Sequence, residues 1–404
     1  MRRFTPVQRR ARLAIRHHLA PAGRAENLVG VARDLVALHS TDPASVFLSL
    51  RARVRATDAS TIERALYEDR SLVRFLGMRR TMFVVARDLL PVLEAACTRA
   101  LVPGERRNFV RMLEEAGTAR DGERWLIQAE EACITALANR GEATAAQLTQ
   151  DVPALREQIC VGKDKYARMQ GVSTRVLFLL AAQGRIMRGR PRGSWTSSQY
   201  HWALAESWLS APIAELDPES ARVELVRRWL EAFGPATIAD IRWWTGWTAS
   251  HTKRALEEIA PVEVDLGGRA GIVLAHDLEP DAPPNPWVAM LPALDPTPMG
   301  WSERDWYLGE HRSALFDAFG NIGPTVWWEG RIVGGWPPAG AGEEGLDAVD
   351  ASGLNARTVR WCSAFSRTSA RSRSRRSRQK PPGSPRGSAR PVSPPASARR
   401  WSVS

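Results

Sequence analysis

The chain has 404 residues, 44% hydrophobic and 25% charged, the balance of a globular protein with two to four domains. Its net charge of +12 is not spread evenly: thirteen Lys and Arg and no Asp or Glu fall in 357–404, leaving 43 basic against 44 acidic residues before them. The body is close to neutral, so only local basic patches can point to a nucleic-acid partner. No run of roughly eighteen uncharged apolar residues occurs, and the basic start MRRFTPVQRRARLAIRHHL has no apolar stretch, so neither a membrane span nor a secretory leader is expected. Cys97, Cys133, Cys160 and Cys362 are scattered without a CxxC pair, which excludes a disulfide framework and a zinc-ligand spacing. No Walker phosphate loop is present. The expectation is a cytoplasmic protein with no metal and no cofactor.

A first unit is placed at 1–120. ARLAIRHHLA and NLVGVARDLVALH carry apolar residues at helical spacing. Thr41-Asp42-Pro43 starts a third helix, with the proline suited to the first turn and Thr41 or Asp42 as its cap. Ser60 and Glu63 form a capping-box pattern at a fourth. SLVRFLGMRRTMFVV reads as two strands around a basic turn with Arg79 and Arg80. His17 and His18 are expected on the surface of the first helix.

A second unit is placed at 121–215. ANRGEATAAQLTQ is an entry to a helix-turn-helix, and GVSTRVLFLLAAQGRI is a helix ended by Gly184. A Gly/Pro-rich hairpin follows, carrying Arg185, Arg188, Arg190, Arg192 and Trp195. Helix then basic hairpin is the layout of a winged helix, in which the helix enters the major groove and the wing touches the backbone. A third unit, 216–283, repeats the theme, with Thr248 capping a helix and Gly-Gly at a hairpin turn. GEATAAQL and GPATIADI stand at equivalent points of the two units, an internal echo of tandem duplication. Residues 284–345, rich in Val, Trp, Gly and Pro, read as short strands of a small β-domain. The pairs Trp243-Trp244 and Trp327-Trp328 read as core. The Arg/Ser/Pro-rich tail, 346–404, reads as disordered and resembles the product of a frameshift.

Four phrases resemble a known family: LVALHSTDPASVFLSLRAR, FLGMRRTMFVVARDL, FGPATIADIRWWTGW, and MLPALDPTPMGWSERDW with GRIVGGW. In order and spacing, from about residue 8 to 336, they resemble the AlkZ-like, YcaQ-related winged-helix DNA glycosylases. The resemblance implies a mainly α fold with small β elements (α+β): three tandem winged-helix units and a C-terminal β-barrel cradling double-stranded DNA. The implied activity is monofunctional excision of bulky or crosslinked N7-alkylpurines, by a monomer.

The family's Gln-x-Gln or Gln-x-Asp motif precedes a Pro-started helix. The matching positions are His39, Ser40 and Thr41, so neither glutamine is present. A neutral His39 could take a proton from water, and the Thr41 hydroxyl could hold that water beside an oxocarbenium-like sugar. Equally, Asp42 could simply cap the helix while His39 satisfies a carbonyl. The alternative function is a non-catalytic DNA-binding protein, a lesion sensor or a regulator. Arg79, Arg80 and the four hairpin arginines are candidate phosphate contacts; Trp195 is a candidate wedge or a packing residue. Asp295, Arg304 and Asp305 suggest a structural ion pair.

Overall fold

The computed structural model describes residues 1–161 and 168–336. The first part holds β1 (Arg2–Arg3), α1 (Pro6–Arg16), α2 (Leu28–Asp34), β2 (Leu38–His39), α3 (Pro43–Arg51), α4 (Ala59–Tyr67), β3 (Leu72–Leu76), β4 (Met82–Ala86), α5 (Leu90–Leu93) and α6 (Val102–Glu115). Next come α7 (Gly122–Arg140), β5 (Glu142–Thr144), α8 (Ala145–Asp151), β6 (Gln158–Val161), β7 (Arg168–Gly171), α9 (Val172–Ala182), β8 (Ile186–Pro191), β9 (Tyr200–Leu204) and α10 (Ala205–Leu209). The third part holds α11 (Pro218–Phe233), α12 (Ile238–Thr245), α13 (Ala249–Ile259), β10 (Val262–Asp265) and β11 (Ala270–Val273). The last holds β12 (Val288–Leu291), α14 (Asp305–Leu308), α15 (Arg312–Leu315), β13 (Thr325–Trp328) and β14 (Arg331–Gly335).

One pattern recurs three times: a helix, a short strand, two helices and a hairpin. In each, the short strand lies beside the second arm of the hairpin. The sheets run β2-β4-β3 and β5-β9-β8. In the third, Ala236 bridges Ile272 of β11, which pairs with β10. The added strand β1 runs parallel to β10. The echo noted in the sequence has a structural counterpart. Ala143 pairs with Trp202 and Ala236 with Ile272, and the next residue, Thr144 or Thr237, caps α8 or α12 through a complete capping box.

Local signals placed several helix ends. Pro43 opens α3, Thr248 caps α13, and Gly184 follows α9 at φ +69°. The Ser60–Glu63 capping box does not form. Asp58 caps α4 instead, accepting from the Thr61 amide at 2.8 Å, and Glu63 is drawn to Arg190. A carboxylate two residues upstream outcompetes the hydroxyl because it accepts more strongly.

The β-barrel expected after residue 284 is not found closed. Among the described residues, that part holds one antiparallel sheet, β12-β13-β14, and three strands cannot close on themselves. The tail 346–404, with its expected disorder and frameshift, lies outside the described residues.

The core is not divided as the unit boundaries suggest. The first part, the third, the 287–332 segment and the Met187, Ala203 and Trp208 edge of the second part share one continuous apolar cluster that includes Leu38, Trp229, Trp301 and Trp327. The second part has its own, built on Phe109, Leu126, Leu148 and Leu180. Each tryptophan pair is split, with Trp244 and Trp327 buried and Trp243 and Trp328 half-buried.

Buried polar groups stitch the shared core. His17 is not on the surface: it is fully buried, because α1 is covered by α11 and the 295–301 segment. Asp295 does not pair with Arg304. It takes both ends of the buried Arg53 fork at 2.8 and 2.7 Å, with Ser49 Oγ and the Thr297 amide also donating to it. Arg304 instead lies over Trp243 and Phe316, each at 4.7 Å. Asp240, the partner of Thr237 in its capping box, also accepts from the amides of Ser302 and Glu303.

Candidate active site

The turn from β2 into α3 carries the residues at the motif position. His39 is the last residue of β2 and lies opposite Phe83 of β4. Its ring is half-buried and meets the Phe83 ring edge-on at 5.4 Å. Ser40 continues the pairing, its N–H donating a hydrogen bond to Met82 O; its side chain is buried, and its hydroxyl has no partner among the described residues. Thr41 is exposed. Asp42 is the cap of α3, accepting from the Ala44 amide at 3.3 Å and from Ser45 Oγ at 2.9 Å.

Burial first, and then the positive charge of Arg79, bring the His39 pKa down to about 4. The ring is therefore neutral at pH 7. The Thr41 amide points at His39 Nδ1 at 3.5 Å, a weak contact that favours Nδ1 as acceptor and leaves the proton on Nε2.

Each other part of the molecule contacts α3 or the neighbouring β3–β4 turn. Ser45 Oγ also donates to Ala293 O at 2.6 Å, joining α3 to the C-terminal segment. Phe47 packs on Trp195 of the second hairpin loop at 4.9 Å. Arg79 reaches Trp243 of α12 at 4.2 Å. Gly246, at φ +75° just after α12, makes that approach possible, since a Cβ there would sit 2.8 Å from Arg79 Cγ.

The basic residues singled out in the sequence do not form one patch. Arg79 and Arg80 are both exposed and both left-handed at the tip of the β3–β4 turn. Arg79 stacks on Trp243, and Arg80 pairs with Glu105 at 3.0 Å. In the second hairpin, Arg185 pairs with Glu131 at 2.8 Å, and Arg190 with Glu63 and Glu68 of α4 and its C-cap. Arg188 turns inward over Tyr200 and Trp202. Arg192 is exposed and makes no ion pair among the described residues. Trp195 is half-buried and packs on α3.

The sequence reading passed over Arg74, Tyr67 and Tyr200, which meet beside Asp42. A signal was available: Arg74 is the charged residue in an otherwise apolar strand, LVRFL. Among the described residues, no group of three or more His, Cys, Asp and Glu could hold a metal ion, and no helix is long and apolar enough to cross a membrane.

The helical unit recurs three times, with a polar turn at the end of β2 in the first, and the comparisons give the class, the AlkZ-like family. The family model described as "DNA glycosylase AlkZ-like" matches residues 32–368, and the chain belongs to that family. It is 29% identical over 171 residues to the "Interstrand DNA cross-link repair glycosylase" of Streptomyces sahachiroi, covering 40% of this chain and 45% of that protein. The matched stretch thus spans less than half of that relative's length. The solved structure of the Streptomyces sahachiroi DNA glycosylase AlkZ superposes with a TM-score of 0.64 over 83% of this chain and 88% of that one. At 23% identity that likeness is one of fold.

Proposed function

We propose that the protein is a monomeric, monofunctional DNA glycosylase that binds double-stranded DNA through three winged-helix units and releases bulky or crosslinked N7-alkylpurines. The strand order shared by the three repeats supports the winged-helix reading, since a first strand beside the second hairpin arm is what turns a helix-turn-helix into a winged unit. What carries the catalytic reading is position. His39 and Thr41 occupy the family's motif turn, with a neutral ring and an exposed hydroxyl at the end of β2.

An N7-alkylpurine leaves with its positive charge neutralised, while positive charge develops on the sugar. The chain's task is to place a water and to offset that charge. A histidine with a pKa of about 4 is a weak base near pH 7, so His39 acts by orientation, donating from Nε2 or accepting at Nδ1, rather than by full proton abstraction. The Thr41 hydroxyl holds the same water. The Asp42 carboxylate, fixed by its cap bonds, adds negative charge at the turn.

The test is release of N7-alkylguanine from duplex DNA by the wild type, His39→Ala and Thr41→Ala, each across pH 4 to 8. Both variants should lose 10-fold or more in rate, in the range of one positioned group. The wild-type profile should be flat from pH 8 to 5 and fall near pH 4. Equal release by all three removes His39 and Thr41 from the mechanism. A fall already near pH 6.5 refutes the lowered pKa. Tight duplex binding with no release favours the second reading, a lesion-binding relative without chemistry, to which the missing glutamines point.

A further inference from the structure

Two arginines lie at the seam between β3 and β8 with no carboxylate partner among the described residues. Arg74 is 3% exposed, and none of its three guanidinium nitrogens has a hydrogen-bond partner among the described residues. Its guanidinium leans over the Tyr200 ring at 4.4 Å. Arg188 lies 5.7 Å from the same ring, and its Nε is also unpartnered. The buried hydroxyls of Tyr67 and Tyr200 are unpartnered too. Neighbouring carboxylates are committed elsewhere: Glu63 and Glu68 hold Arg190, and Asp42 caps α3.

A buried unpaired cation is costly. Stacking on tyrosine offsets only part of that cost. Burial, and then the charge of Arg74, lower the Arg188 pKa to about 10, so Arg188 stays charged at pH 7 beside Arg74. Two guanidinium forks and two phenol hydroxyls together present many donors and no free acceptor of comparable strength. The chemistry that satisfies such a set is a phosphate group, with its several anionic oxygens.

We propose that Arg74, Arg188, Tyr67 and Tyr200 form a phosphate-binding site, filled by a DNA backbone phosphate or by free phosphate. Half-buried Arg188 marks its mouth, and Arg74 its floor. Asp42 acts electrostatically on Tyr200, and Trp195 packs on Phe47, so the seam adjoins the turn bearing His39 and Thr41. A backbone phosphate seated there fixes the register of the strand against that turn. The DNA source rests on the reading of the protein as a duplex-binding glycosylase.

The experiment uses the full chain as wild type, Arg188→Gln and Tyr200→Phe; the latter keeps the ring under Arg74 and removes one hydroxyl. In the first arm, inorganic phosphate is added without DNA at constant ionic strength while thermal unfolding is followed. The wild type should gain a saturating rise in melting temperature that both variants lose. In the second arm, duplex affinity is measured between 50 and 200 mM salt. Arg188→Gln should reduce the slope of log K against log salt by about 0.9, the signature of one phosphate contact. A phosphate effect alone supports the site with free phosphate as its source; a slope change alone supports it with DNA. A wild type that binds no DNA but responds to phosphate sinks the glycosylase reading and leaves the site standing. Folded variants indistinguishable from wild type in both arms overturn the proposal.

Discussion

Acidification should destabilise this protein well above the range where carboxylates titrate, through His17. The residue sits in a relay of fixed polarity. Arg53 donates to Thr297 Oγ1 at 2.8 Å, so that hydroxyl turns its own proton to His17 Nδ1 at 2.9 Å, and Nε2–H donates to Ala232 O at 3.1 Å. A second ring proton would face the threonine proton, beside Arg53. Burial first, and then that arginine, take the pKa from 6.5 to about 3. The depressed value means no cost above pH 6.5 and a growing cost below it, because the unfolded chain binds a proton that the folded chain refuses. Between pH 8 and pH 5 the loss comes to about 2 kcal/mol, from the two pKa values. That is a fall in melting temperature of roughly 3 °C for a chain this long. Asp295 does not confuse the result: Arg53, Ser49 and Thr297 hold it below the ordinary 3.8, so its contribution persists at pH 5. The assay is denaturant unfolding at pH 8 and pH 5 for wild type and His17→Gln. The variant should be less stable at pH 8 and lose about 2 kcal/mol less on acidification. Equal losses would refute the assignment, as would a His17 resonance titrating near pH 6.5.

Two other perturbations follow from the same contacts. Asp295→Ala strands the fully buried Arg53 and should cost about 3–5 kcal/mol in chemical denaturation, with loss of cooperativity across the shared core; a cost under about 1 kcal/mol would mean the pair is replaceable. Arg192→Ala should leave the melting temperature unchanged and lower the salt slope of duplex binding by about 0.9, whereas Arg190→Ala should loosen the hairpin from α4; a reversed pattern would show that the hairpin's contacts have been misassigned.

What the sequence disclosed is what short-range chemistry decides. The Arg79-Arg80 turn between two strands, the Pro43 start, the Gly184 stop and the Thr248 cap each depend on a few adjacent residues. Family membership was legible because four phrases keep their order over three hundred residues. The misreadings involve distant partners. Arg53 and Asp295 are 242 positions apart, and His17 meets Ala232 and Thr297 across 215 and 280. The pairing of Arg190 with Glu63, 127 positions away, was out of reach for the same reason. Ser60 lost its cap to Asp58 by a closer contest, hydroxyl against carboxylate, which a stricter weighing of charge would have foreseen.

The absence of both family glutamines is better judged by the support around the turn than by the residue types alone. α3 is tied to the C-terminal segment by Ser45 and Ala293, and to the second hairpin by Phe47 and Trp195. β2 is held by β4, and Arg79 bridges toward α12. A relic with no remaining task would be free to lose such contacts. Together they hold the backbone on both sides of the turn, and Phe83 meets the His39 ring edge-on. Orientation is what a weak base and a neutral hydroxyl require, since neither contributes by charge. A supporting contact therefore tests the chemistry without touching it. Phe47→Ala opens the packing against Trp195, and if the turn works by position, release should fall while the His39 pKa stays near 4.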